Sequence, residues 1–60
     1  MTQSLIARFV PHAASLPRGT VIVLNCETGD YVSAATEAEA LDTFGARFGW
    51  GVSCVVHVVG

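Results

Sequence analysis

Residues 20–26 read Thr20-Val21-Ile22-Val23-Leu24-Asn25-Cys26, and this stretch decides the fold. Its apolar residues run without alternation, which is typical of a central strand covered on both faces. A second strand-type stretch, Val52 to Val59, lies near the end of the chain. Two sheet faces need covers, but only one helix is evident in the sequence. We expect the remaining apolar surface to be buried by a second copy, by a partner, or by the N-terminal segment folding back.

A tight turn and a helix follow the central strand. The segment Glu27-Thr28-Gly29-Asp30 predicts an antiparallel hairpin to a strand at residues 31–35, with Gly29 free to adopt a positive φ. Thr36-Glu37-Ala38-Glu39 matches a capping box, so a helix is predicted from about residue 37 to residue 48. The apolar face of this helix comprises Ala40, Leu41, Phe44 and Phe48, with Gly45 at its border.

These elements predict an α+β fold, a small ββαβ unit with a three-stranded sheet in order 2-1-3 and one helix on one face. A right-handed crossover through the helix sets the last strand parallel to the hairpin's second strand. The run from Leu5 to Val10, ended by Pro11, is interpreted as a packing arm or an extra N-terminal edge strand. Residues 1–60 form a single domain, with residues 1–19 as this segment plus a loop and residues 20–60 as the core.

Composition indicates a protein that works in contact with another protein. Hydrophobic residues make up 52% of the chain and charged residues 13%, whereas a fully solvated surface usually carries about a quarter charged residues. The net charge is −2 and the only cations are three arginines, which disfavours direct nucleic-acid binding. No apolar run approaches the roughly 20 residues of a membrane-spanning helix. We expect a cytoplasmic protein that binds neither nucleic acid nor membrane.

Strand alternation assigns the apolar residues to two sheet faces. We expect the helix to cover one face, formed by Ile22, Leu24, Cys26, Val52, Cys54, Val56 and Val58. The opposite face has no helix of its own and is predicted to be an interface, formed by Val21, Val23, Val55, His57 and Val59. Cys26 and Cys54 are expected to lie on the same face, either as reduced core thiols or as a disulfide.

Two further features are candidates for partner contacts. Trp50, between the helix and the last strand, either closes the end of the core or is an exposed anchor for a partner. The acids all fall in one central stretch, and we expect the hairpin and helix to gather them at one end of the molecule, where they either are simply solvated or attract a basic partner. This predicted acidic end comprises Glu27, Asp30, Glu37, Glu39 and Asp42.

Nothing in the sequence predicts catalysis, a cofactor or a metal. Cys54 and His57 have a metal-like spacing, but strand alternation points them to opposite faces. Neither His12 nor His57 has an obvious carboxylate partner, and no local nucleophile signature such as Gly-x-Ser-x-Gly occurs. We therefore expect a protein that is not an enzyme.

The middle third of the chain resembles a known family. Gly29-Asp30-Tyr31-Val32, leading into Thr36-Glu37-Ala38-Glu39-Ala40-Leu41, is similar to the hairpin-to-helix stretch of HicB-like antitoxins. The resemblance implies a sheet-and-helix fold related to double-stranded-RNA-binding domains, in a small acidic protein that acts by occlusion. A phage-encoded inhibitor of a host defence complex fits the same description.

Three function classes follow. The first is a non-enzymatic interaction module, working as a homodimer or as a small regulatory or inhibitory subunit of a larger protein complex. The second is a structural subunit of a larger assembly, such as a phage particle. The third is a small metal- or ligand-binding module that uses the two cysteines and two histidines.

Overall fold

The fold is built on one central strand with a helix on each face. The computed structural model describes residues 2–60, with side chains from Ile6 onward. These residues form α1 (Thr2–Phe9), a 3-10 turn (Ala13–Ser15), β1 (Val21–Asn25), β2 (Tyr31–Ala34), α2 (Glu37–Phe48) and β3 (Cys54–Val58). Both β2 and β3 pair antiparallel with β1, in the order β2-β1-β3. The predicted α+β class and strand order are confirmed.

The turn between β1 and β2 fixes the register of the hairpin. Asn25 is 3% exposed, and its Oδ1 accepts hydrogen bonds from the backbone N–H groups of Glu27 (2.8 Å) and Thr28 (3.2 Å). Gly29 has φ +85°, a conformation that favours glycine, and its N–H donates to the Asn25 carbonyl at 2.8 Å. The resulting register places Val32 opposite Val23.

The second helix begins and ends as the sequence predicts. Thr36 precedes α2, and its Oγ1 accepts a hydrogen bond from the Glu39 N–H at 3.2 Å, which satisfies one of the free donors of the first turn. Gly49 ends α2 with φ +96°, and its N–H donates to the Gly45 carbonyl at 2.9 Å. The buried face of α2 packs against one face of the sheet, in a cluster of Ala40 and Phe44 with Val21, Val23 and Val32.

The N-terminal segment is helical and packs on the sheet, so of the two interpretations of Leu5 to Val10 the extra edge strand is wrong, whereas the packing arm agrees with the contacts of Ile6 and Val10. Ile6 and Val10 are buried, and their spacing of four residues is that of one helical face. Pro11 follows Val10, and α1 ends just before it, since proline cannot continue the ladder of helical hydrogen bonds. A short apolar run before a proline suits a strand as well as a helix.

The two helices cover opposite faces of β1. Ile6, Val10 and Ala13 cluster with Ile22, Leu24 and Val59, while α2 covers the face that carries Val21 and Val23. All five residues of β1 are buried, as expected for a central strand. Within residues 2–60, no helix is long and apolar enough to cross a membrane.

Candidate interaction surface

The helices are displaced to opposite sides of β1, and this displacement leaves part of β3 exposed. The first helix packs on β1 and β3, whereas α2 packs on β1 and β2. One helix about 10 Å across spans roughly two strands spaced about 4.8 Å apart. On the α2 side of the sheet, β3 therefore extends past the helix. Its side chains on that side are Cys54, Val56 and Val58, which we call the β3 row.

The β3 row is an apolar surface open to solvent. Val56 is 36% exposed, Val58 is 53% exposed, and Cys54 is an exposed free thiol. The register pairs Val58 with Val21 and Val56 with Val23, which fixes the β3 row on the α2 side because opposite residues point to the same face. A large apolar side chain at the surface is ordinary when isolated, but three consecutive positions of one strand face form a stripe.

The backbone of the same three residues points away from the sheet. Cys26 donates its N–H to the Ser53 carbonyl at 3.0 Å, and Val59 donates to the Thr20 carbonyl at 2.9 Å. Antiparallel pairs alternate between hydrogen-bonded and non-hydrogen-bonded residues, so residues 53, 55, 57 and 59 bond to β1. Cys54, Val56 and Val58 direct their N–H and C=O groups to the open side. Within residues 2–60, β3 pairs only with β1, and we call this open side the β3 edge.

The other edge strand, β2, lacks these apolar features. Asn25 donates its N–H to the Asp30 carbonyl at 2.7 Å, so by the same alternation Tyr31 and Ser33 carry the outward backbone groups of β2. Ser33 is exposed and polar. Tyr31 packs partly against the α1 cluster, and its hydroxyl lies 2.8 Å from His12 Nε2. The two edges of the sheet therefore differ: one is short and polar, the other apolar.

The predicted interface face is divided between the two sides of the sheet. Val21 and Val23 are 4% and 0% exposed beneath α2, so the prediction that they lie on an uncovered face is wrong. Val55 and His57 pair with Leu24 and Ile22 on the α1 side, where Val59 is also buried. Both faces of β1 are apolar, so alternation alone could not tell which set lies beneath the helix. A shift of one residue in register exchanges the faces.

The predicted acidic end is divided into two groups. Glu27 and Asp30 lie in the β1–β2 turn, where Thr28 Oγ1 donates to Asp30 Oδ2 at 2.9 Å. Glu37 and Glu39 lie in the first turn of α2, beyond the opposite end of β2, and Asp42 lies further along the helix. All five acids are exposed. The structure does not bring the hairpin acids and the helix acids together.

Trp50 is an exposed side chain resting on α2. It is 75% exposed, so it does not close the end of the core. Its indole ring packs directly on Gly45, where a β-carbon would overlap the ring. Trp50 lies in the connection that leads from α2 to β3, four positions before Cys54, the first residue of the β3 row. This placement suits the predicted anchor.

Replacing Gly45 with alanine is expected to displace the Trp50 ring without unfolding the protein. Alanine is favoured over glycine in a helix by about 1 kcal/mol. Because the Trp50 ring is already largely in solvent, losing its contact with α2 costs a similarly small amount, and the two effects offset each other. We expect the stability to change by less than about 1 kcal/mol and the tryptophan emission to shift to longer wavelength. Thermal unfolding and fluorescence measure the two effects. Unchanged emission would show that the ring does not rest on Gly45.

The cysteines and histidines do not converge on a chemical site. Cys26 and Cys54 are both free and exposed. Cys54 pairs with Asn25, whereas Cys26 bonds to Ser53, so the two thiols point to opposite faces and the prediction of a shared face is wrong. Cys54 and His57 point to opposite faces, as predicted. Within residues 2–60, no three or more His, Cys, Asp or Glu side chains are grouped to hold a metal ion.

An apolar groove of about 390 Å³ lies on the α1 side of β3. One wall is formed by Ile6 and Val10 of α1 and the segment that follows, and the other by residues from His57 to Gly60. The lining residues include no Asp, Glu, Lys or Arg. The groove and the β3 row thus place uncharged surface on both faces of the same edge strand.

No protein-family model, curated protein or solved structure matches this chain.

Sequence reasoning missed the β3 row, although a signal for it was present. In the hairpin register Val32, the buried valine of β2, lies opposite Val23. The helix that follows β2 should cover the face to which this valine points, which is the face with Val21 and Val23. Because one helix spans about two strands, the third strand on that face had to remain open.

Proposed function

We propose that this protein is a non-enzymatic protein-interaction module that binds through the β3 edge by strand addition. The observation that carries the proposal is a coincidence in three residues. Cys54, Val56 and Val58 supply both the outward backbone groups and the exposed apolar side chains of β3. In strand addition the backbone provides affinity, and alternate side chains provide specificity.

The absence of protection at this edge supports a binding role. Soluble proteins usually block edge strands with lysine, proline, inward charges or a bulge, because an open apolar edge promotes aggregation. The sequence of β3, Cys-Val-Val-His-Val, contains no Asp, Glu, Lys, Arg or Pro. On β2 of the same sheet, Ser33 occupies the exposed position. Of the two edges of the sheet, only the β3 edge is apolar, and this difference is best explained by a partner that covers it.

The module would act as a homo-oligomer or as a small regulatory or inhibitory subunit that works by occlusion, as the HicB-like resemblance suggests. A net charge of −2 with only three arginines supports a protein partner rather than nucleic acid. The exposed acids of the hairpin and of α2 would steer a basic partner without making the main contact. The proposal includes a cytoplasmic location, where exposed thiols such as Cys26 and Cys54 stay reduced.

Replacing Val56 with lysine is expected to weaken association through β3 at least tenfold, on the order of 1.4 kcal/mol or more. Lysine at an edge position disfavours strand addition, and Val56 is exposed enough for the fold to accept the change. Ser33→Lys is the matched control, since it places the same charge on the exposed position of the other edge strand. Circular dichroism would confirm that both variants fold.

Amide hydrogen exchange provides the direct readout. Binding through the β3 edge should slow exchange at Cys54, Val56 and Val58 and leave Ser33 unchanged. If Val56→Lys leaves self-association and partner binding as they are in the wild type, β3 is not the binding element. The proposal would then fail.

A further inference from the structure

We infer that the β3 edge binds β3 of a second copy, antiparallel and centred on Val56, to form a continuous six-stranded sheet. This inference rests on the proposed function and names its partner. The two-fold axis would pass between the two Val56 residues, perpendicular to the sheet. In that register Cys54 of one copy lies opposite Val58 of the other.

The β3 strand is complementary to itself in this arrangement. Cys54, Val56 and Val58 are the residues with outward N–H and C=O groups, and an axis at Val56 makes each of them one member of a hydrogen-bonded pair. On the α2 side, every cross-strand pair is then apolar. On the α1 side, Val55 lies opposite His57. No like charges face each other, because β3 contains no Asp, Glu, Lys or Arg.

The positions of the helices bear on how a second copy fits. The first helix lies on the β3 side of β1, where it contacts β3 and, through Ile6, the cluster that contains Ile22 and Leu24. In the dimer the two copies of α1 would therefore meet on one face of the sheet, across the two-fold axis, and would pack against each other at the usual distance of about 8–10 Å between helix axes. The same arrangement keeps the two copies of α2, over β1 and β2, well apart.

Surface area and charge also favour a second copy. A standard interface buries about 800 Å² on each partner, which is about a fifth of this protein's 3826 Å² surface. One five-residue strand cannot supply that area, but the strand together with the flank of α1 and the adjoining groove provides a larger uncharged surface. Asp30 and the acids of α2 lie outside this surface, whereas Glu27 lies beside its end, where its Oε2 accepts a hydrogen bond from the Ser53 N–H at 3.3 Å. An uncharged surface is matched by its own copy better than by a basic partner.

Cysteine cross-linking tests both the partner and the register. In a Cys26→Ser background, Val58→Cys places a thiol opposite the native Cys54 of the second copy. Hydrogen-bonded antiparallel pairs have Cα atoms about 5.5 Å apart, within the range of a disulfide. Within one chain the same two positions are four residues apart on a strand, about 13 Å, and cannot be bridged. Mild oxidation should convert most of the protein to covalent dimer, with mass spectrometry showing a disulfide between positions 54 and 58.

Matched variants separate specific pairing from random collision. Ser33→Cys, in a background with both native cysteines replaced by serine, puts a thiol on the β2 edge and should give little dimer. Val56→Cys in the same background should link to itself across the two-fold axis. Equal cross-linking from β2 and β3, or a bond at another position, would overturn the inferred register. Circular dichroism under reducing conditions would verify that each variant is folded.

The mass of the wild-type protein in solution separates this inference from the proposed function. Light scattering at micromolar and higher concentrations should give twice the chain mass, and Val56→Lys should return the protein to monomer. A monomeric wild type whose Cys54, Val56 and Val58 amides become protected on binding another protein would overturn the dimer and leave the proposed function standing. A monomer with no Val56-dependent binding would overturn both.

Discussion

Replacing Phe44 with alanine is expected to remove the cooperative thermal transition of this protein. Phe44 is 4% exposed and lies at the centre of the cluster between α2 and the sheet. Truncating a buried phenylalanine usually costs about 3–5 kcal/mol. A domain of this length has a total stability of about 3–9 kcal/mol, so the cost is comparable to the whole. The measurement is thermal unfolding followed by circular dichroism at a fixed protein concentration.

Phe9→Ala is the matched control for this prediction. Phe9 is 42% exposed and contacts Gly29 at the hairpin turn, so it loses the same atoms from a partly solvated site. We expect a cost of about 1 kcal/mol and a retained transition at lower temperature. Equal destabilisation by both variants would show that α2 is not the main support of its face of the sheet.

Replacing Val10 with aspartate is expected to separate the N-terminal helix from the sheet. Val10 is fully buried, among Ile22, Leu24 and Val59. A carboxylate at this position has no basic partner in that cluster, and an unpaired buried charge costs several kcal/mol. We expect a large loss of stability at neutral pH and the appearance of dye-binding apolar surface, because removing α1 uncovers the second face of β1.

The pH dependence of the Val10→Asp variant identifies the cause. Burial raises the pKa of a carboxyl group above its unfolded value, so the folded state binds the proton more tightly than the unfolded state. The cost should therefore be full at neutral pH and diminish as the pH falls through the raised pKa towards about 3.9. Arg8→Asp, on the exposed part of the same helix and outside the groove, should show little of either effect. A cost independent of pH would show that the charge is not buried.

The local signals of the sequence were enough to predict the hairpin, α2 and the strand order. A turn with Gly29 and a cap at Thr36 act through nearby backbone groups, so a short window of sequence contains the whole cause. The register of β3 depends on residues more than 25 positions away and was not determined in this way. With both faces of β1 apolar, either register buried the central strand equally well.

An uncovered apolar surface was predicted, but with different residues from those that the structure leaves exposed. The valine-rich strands have more apolar surface than the one evident helix can cover, which indicated an uncovered surface. The structure shows such a surface in the β3 row. The predicted set that included Val21 and Val23 failed because the faces were exchanged. The N-terminal segment was hard to assign because a six-residue apolar run has no clear period.

The difference between the apolar β3 edge and the polar β2 edge also limits how large an assembly can become. A sheet with two apolar edges can add copies at both ends without limit, which is the route to fibres. Here the β2 edge presents Ser33 and lies beside the acidic turn of Glu27 and Asp30. In the proposed dimer, pairing through β3 would use the one apolar strand edge that residues 2–60 present, and a two-fold contact of this kind closes on itself. Assembly would then stop at two chains, and the strand that would otherwise promote aggregation would be covered.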